Sequence, residues 1–139
     1  MFSGVERIRP LAALVARLVL GVIMLVHGSQ KIFSRGALYQ FVQVVQHLGL
    51  PAWSGYLAAF TELFGGALLI VGLLVHLAAF GIAIDMAVAI IKVPLHHGLT
   101  GQGGYEFALA CFALAVVLMG TGPGYVAADQ YVFRGRPVR

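Results

Sequence analysis

Charge is what this chain lacks most. Only 10% of its 139 residues are Asp, Glu, Lys or Arg, against about a quarter in an ordinary soluble domain. No soluble core of this length buries so much apolar sequence, and a mean hydropathy of +0.94 makes the bilayer the solvent. Cysteine is nearly absent too. Cys111 has no second cysteine to pair with, which excludes an intramolecular disulfide, a C-x-x-C redox pair and a cysteine metal cluster. It reads as a small apolar packing residue. There is no basic stripe with interleaved aromatics, so nucleic acid is excluded as a partner. The glycine-rich stretch Gly98–Gly104 follows no strand and leads into no Gly-Lys-Ser/Thr, so it is no phosphate loop. There is no internal repeat and no low-complexity tract. The first apolar run is broken by Arg17 and has no small-x-small cleavage site after it, so an uncleaved first span is expected.

What is present are four mostly apolar stretches of roughly spanning length, near 11–33, 54–75, 77–95 and 105–121. The expected fold is an all-α membrane protein, one domain over 1–139 forming a four-transmembrane-helix bundle. The connection between the second and third spans is very short, around His76, so those helices are antiparallel neighbours. The stretch 36–50 differs. Leu38, Phe41, Val42, Val45 and Leu48 recur at helical spacing, with Gln40, Gln43, Gln46 and His47 on the other side. That predicts a short amphipathic helix lying at the interface between spans one and two. Gly49 and Pro51 end it, and Trp53 and Tyr56 mark the interface where the second span begins. The net charge of +4 sits largely at the ends, on Arg7, Arg9, Arg134, Arg136 and Arg139. Positive charge favours the cytoplasmic side, which places both termini there in a multi-pass protein.

Six charges nevertheless lie in or at the edge of the spans: Arg17, Lys31, Glu62, Asp85, Lys92 and Glu106. A charge in hydrocarbon is costly, so such residues pair, face a cavity or line a site. Span order puts His27, Lys31, Glu62, Lys92, His96, His97 and Glu106 in the outer half of the bundle. At about 100° per residue, each charge shares a helix face with small residues: Gly21 and Gly28, Gly65 and Gly66, Gly81 and Ala89, Ala110 and Ala113. Small residues let membrane helices approach closely, so the polar faces point inward. Two readings follow. Arg17, Asp85 and Lys92 are candidates for structural ion pairs that fix helix register, with Arg17 and Asp85 as a deep pair. His27, Lys31, Glu62, His96 and Glu106 are candidates for a ligand site. His27 and Lys31 are one turn apart and suit a quinone oxygen or an oxyanion. His96 and His97 are adjacent, point in different directions and chelate poorly, so no metal site is assigned. Haem is disfavoured further. The turn Gly122-Pro123-Gly124 ends the fourth helix, and Asp129 reads as a capping carboxylate nearby.

The ordered pieces Arg17-Leu18 with Gly21, His27-Gly28 with Gln30-Lys31, Gly49-Leu50-Pro51, Glu62 with Gly65-Gly66, Gly72-Leu73, Met86 with Ala89, His96 to Gly98, Gly104-Tyr105-Glu106 and Gly122-Pro123-Gly124 with Asp129 resemble the DoxX family of small four-span membrane proteins. The chain departs from that pattern at His76 and Tyr125, where basic residues are usual. The resemblance implies a bacterial inner-membrane protein linked to oxidoreductases. Some relatives are subunits of a thiosulfate:quinone oxidoreductase, and others accompany superoxide dismutase and a sulfurtransferase in a membrane complex. The expected function is a membrane subunit of a quinone- or sulfur-linked oxidoreductase system with a polar pocket near the outer face. Its partners would be the lipid bilayer and membrane or periplasmic oxidoreductase subunits. The chain has no flavin, iron–sulfur or cysteine redox motif of its own, so a quinone is the candidate cofactor and catalytic residues are not assigned. A non-catalytic accessory subunit is the alternative. A small permease or proton-coupled channel is the third reading, and four helices would then require an oligomer.

Overall fold

The computed structural model describes residues 3–92, 98–100 and 104–133, and among them the regular structure is entirely helical. The elements are α1 (Ser3–Phe33), α2 (Ala37–His47), α3 (Ala52–Val71), α4 (Val75–Lys92), α5 (Glu106–Thr121) and α6 (Ala128–Val132). Helices α1, α3 and α4 are long and apolar enough to cross a membrane. Helix α5 is apolar but has 16 residues, about 24 Å against a hydrocarbon core of about 30 Å. A short span is accommodated by local thinning of the bilayer or by its flanking residues. Helix α1 starts eight residues ahead of its apolar run and carries Pro10 within it.

The four long helices form a ring in which α1 packs on α3 and α5, and α4 packs on α3 and α5. The α1–α3 contact is the most extensive, and glycine makes it so. A Cβ added at Gly28 would meet the backbone of Leu63, and one added at Gly66 would meet the backbone of Leu25. Backbones this close need residues without side chains. Gly28→Ala is therefore expected to push α1 off α3 and cost about 1–3 kcal/mol, the usual penalty for overpacking. Gly120→Ala, where an added Cβ meets nothing within 4 Å, is the control and should cost nothing. Reversible unfolding in bicelles reads both. Inside the ring, Leu20, Met24, Leu69, Ile82, Ala115 and Leu118 are buried. Val15, Val22, Phe64, Ile84 and Val117 face outward and are exposed, as a lipid-facing surface requires.

One end of the bundle holds the chain's N-terminal helix start, the α3–α4 connection and the C-terminal turn; it is called the termini end below. At the far end lies α2. Gly36 turns the chain with φ +75, and α2 then lays Val42 and Val45 against Gly55 of α3. Gln43, Gln46 and His47 stay exposed, so the helix is amphipathic as its spacing predicts. Trp53 and Tyr56 are exposed where α3 begins.

The termini end differs from the sequence expectation in three ways. The α3–α4 connection is Gly72–Leu74 rather than around His76, which lies in the first turn of α4. Gly72 adopts φ +79 and donates its N–H to the Leu68 carbonyl, which ends α3. Asp129 caps a helix distant in sequence: its carboxylate accepts from Leu74 N at 2.7 Å and Val75 N at 3.0 Å, the start of α4. Helix α6 is additional, and its first turn places that carboxylate.

Candidate functional site

At the far end, Lys31 from the last turn of α1 meets Glu62 from the middle of α3. Lys31 Nζ donates to both Glu62 oxygens, at 2.7 and 2.8 Å. This is the only salt bridge among the described residues. The glycines explain why the two meet. Gly28, one turn below Lys31, brings α1 onto the backbone of Leu63, and Glu62 precedes it. The Glu62 residue is only 4% exposed. A carboxylate buried this far must be paired. Phe41 of α2 covers the other side of the ammonium, with Nζ 4.0 Å from the ring centroid. The quadrupole of an aromatic face attracts a cation. The interfacial helix thus forms the wall of the site.

Asp85 reaches the same place from α4. Gly65 of α3 packs against Ile82 of α4. In an antiparallel pair, one turn back from Gly65 is Glu62 and one turn on from Ile82 is Asp85. That register sets Asp85 level with Glu62, near enough to feel the charges of Glu62 and Lys31. Its Oδ2 is buried with no partner. The cluster therefore has one ammonium and two carboxyls.

His27, one turn below Lys31, is half-buried. Its ring stacks on Phe107 of α5 with centroids 4.9 Å apart and planes 25° apart. Nδ1 lies 2.9 Å from the Ile23 carbonyl. A carbonyl only accepts, so Nδ1 carries the hydrogen and Nε2 remains as an acceptor in the neutral ring. Cys111 of α5 is buried and near enough to Glu62 to sense its charge.

The other sequence candidates fall elsewhere. Glu106 and Lys92 are exposed, and neither makes an ion pair among the described residues. His96 lies outside the described residues. Among those described, no three His, Cys, Asp or Glu side chains are grouped to hold a metal ion. Two contacts of the site were not in the sequence expectation: Phe41 over Lys31 and Phe107 on His27. Both lie in apolar runs, where an aromatic ring carries no signal of the partner it covers.

Arg17 and Asp85, expected as a deep pair, do not meet. The guanidinium of Arg17 is at the termini end, where Nη2 donates to the carbonyls of Tyr125 at 3.2 Å and Val126 at 2.8 Å. It lies beside Gly72, just ahead of the start of α4. Asp85 is ten residues into α4, about 15 Å further along the bundle axis. The register of α1 on α3, with Gly28 against Leu63 and Gly21 against Ile70, carries Arg17 to the level of Gly72. Its Nε and Nη1 are buried and unpartnered.

A cavity of about 650 Å³ also lies at the termini end, away from the polar cluster. Pro10, Leu74, His76, Thr121, Tyr125 and Phe133 are among its lining residues. His76 is held there by an Nδ1 contact of 3.1 Å with the Met119 carbonyl.

The comparisons with known proteins meet this geometry along most of its length. The family model described as DoxX matches residues 12–96, which takes in Arg17, His27, Lys31, Glu62 and Asp85. A protein of Bacillus subtilis (strain 168) named "Putative oxidoreductase CatD" is 30% identical over 126 residues, covering 91% of this chain and 90% of that protein. No solved structure matches the chain at a significant level.

Proposed function

The chain belongs to the DoxX family, and on that premise we propose that it is the membrane subunit of an oxidoreductase system whose small redox ligand, a quinol or a reduced sulfur species, is received at the far-end polar cluster. The observation that carries this reading is the pairing of His27 with Phe107 beside the Lys31–Glu62–Asp85 group. The stack of His27 on Phe107 supplies an aromatic wall. The Nε2 acceptor supplies a hydrogen bond to a hydroxyl or thiol of the reduced ligand. The carboxyls nearby supply proton acceptors within the low-dielectric interior. The oxidoreductase named for the Bacillus relative supports the reaction class. Electrons leave to a partner subunit, because the chain has no redox motif of its own. In this reading the far end faces outward across a bacterial inner membrane and the arginine-bearing termini stay in the cytoplasm.

The test uses protein purified in native nanodiscs, with its lipid extract analysed for quinones by mass spectrometry and with decylubiquinol added as a titrated probe. Wild type is expected to retain quinone or to bind the probe. His27→Ala, which leaves the Lys31–Glu62 pair intact, is expected to weaken binding at least tenfold, the loss of about 1.4 kcal/mol from one hydrogen bond and one stacking contact. Wild-type protein with neither quinone nor probe affinity, and with unchanged affinity for thiosulfate and hydrogen sulfide in His27→Ala, would end this reading.

A second reading rests on the closure of the ion pair. Both Glu62 oxygens are occupied by Lys31, and Phe41 covers the ammonium. A pair finished in this way also serves a purely structural accessory subunit. Co-purification of an active oxidoreductase that keeps full activity with His27→Ala selects it.

A further inference from the structure

The cluster of Lys31, Glu62 and Asp85 is short of one positive charge. Lys31 Nζ gives two of its three N–H donors to the Glu62 oxygens and none to Asp85 Oδ2. The register that Gly65 and Ile82 set brings Asp85 level with Glu62, and its Oδ2 is buried with no donor. Two ionised carboxylates cannot bond to each other, because both only accept. One proton changes this. On Asp85 it supplies the missing donor, turns contact into an O–H···O⁻ bond of the short, strong kind, and brings the cluster from a net charge of −1 to zero. Membrane interiors demand such neutrality.

We infer that the Asp85–Glu62 carboxyl pair binds one exchangeable proton inside the bundle, with Asp85 as the donor and Glu62 as the acceptor. The step is a simple protonation: one proton joins the pair, no bond between heavy atoms changes, and no electron moves. The other titratable groups around the pair are Lys31 from α1, with His27 one turn from it, and Cys111 from α5, while α2 contributes the uncharged Phe41; Lys92 and Glu106 are exposed and stand apart. Within the proposed function the pair is a relay: it passes on its bound proton before it takes up one released by the reduced ligand. The proton site itself is present whether or not a ligand binds, so the two ideas can fail separately.

The chain contains only two aspartates, Asp85 and Asp129, which makes the test direct. Wild-type protein labelled with ¹³C at the aspartate carboxyl is reconstituted in lipid bilayers and followed by solid-state NMR. Asp129 accepts two backbone N–H bonds and serves as the internal carboxylate reference. At neutral pH one signal is expected at the ionised position and one at the protonated position. The protonated signal should broaden or shift on exchange into D₂O and move to the ionised position on raising the pH. Asp85→Asn should remove it, and Asp129→Asn should remove the other, so either single variant completes the assignment. Two ionised signals at neutral pH in wild type would overturn the inference, and so would a protonated signal assigned to Asp129. Decylubiquinol binding measured on the same samples separates this result from the ligand reading.

Discussion

Lys31→Met is expected to remove about 3 kcal/mol from the stability of the bundle, read by reversible unfolding in bicelles. Breaking a buried ion pair by deleting one partner costs about 3–5 kcal/mol, because an uncompensated charge stays behind. The lower end applies here, since the Lys31 side chain keeps 23% of its surface exposed. The stranded group is Glu62, with a side chain 5% exposed and with Asp85 against it rather than a second cation. Lys31→Met/Glu62→Gln is expected to regain most of the loss, to within about 1 kcal/mol of wild type. Removing both charges abolishes the desolvation penalty along with the attraction. Lys31→Arg keeps the charge and can bond a carboxylate through two parallel N–H groups, but its planar head must fit beneath Phe41, so an intermediate stability is expected. A single variant as stable as wild type would mean that water reaches Glu62 freely. The pattern also separates stability from function. The double variant should be folded and yet lack the carboxylate that accepts from Asp85.

Much of this site is legible in the sequence because it depends on two quantities that sequence carries: depth and helical phase. Lys31 is at the end of one apolar run and Glu62 is partway into the next, which runs back in the opposite direction. Both lie on the faces where Gly28, Gly65 and Gly66 recur. Close packing of those faces then leaves little choice of partner. The bundle itself is legible for the same reason, since hydropathy and short connections dictate four antiparallel helices. The termini end is not legible, and the physical reason is the nature of the partners. Arg17 bonds to the carbonyls of Tyr125 and Val126, and every residue type has a carbonyl. Asp129 caps Leu74 and Val75, and a backbone N–H likewise has no signature. A charge with a side-chain partner of opposite sign can be matched by reading. One satisfied by backbone cannot. The first Gly of the Gly122-Pro123-Gly124 turn shows the difference. Its place at the end of α5 follows from residue type and from φ +79. Where the turn then carries the chain, onto Arg17, does not.

Arg17→Leu is expected to detach the C-terminal turn from the bundle while leaving the far-end site folded. Arg17 is 1% exposed, and its Nη2 holds two carbonyls across more than a hundred residues of sequence. Hydrogen bonds from a charged donor contribute about 1.5–3 kcal/mol each when their partners are left buried. A total loss of about 3 kcal/mol is expected, because the freed turn can find water at the membrane surface. The loss should be local first. Asp129 and Gln130 lie just beyond the carbonyls that Arg17 holds, so the cap on α4 and the Gln130–Gly124 contact of 2.6 Å weaken with it. Limited proteolysis should therefore cut the 122–133 segment faster in Arg17→Leu than in wild type, with Arg17→Lys between them. Two double-mutant cycles decide the assignment of this arginine. Coupling between Arg17 and Asp129, whose charges interact across the turn, is expected to be measurable. Coupling between Arg17 and Asp85 is expected to be near zero, since sites more than about 7–10 Å apart with no shared partner act independently. Strong Arg17–Asp85 coupling would restore the deep register pair. Its absence, with decylubiquinol binding retained in Arg17→Leu, assigns the two residues to separate tasks: Arg17 fastens the chain's last turn, and Asp85 belongs to the polar cluster at the opposite end.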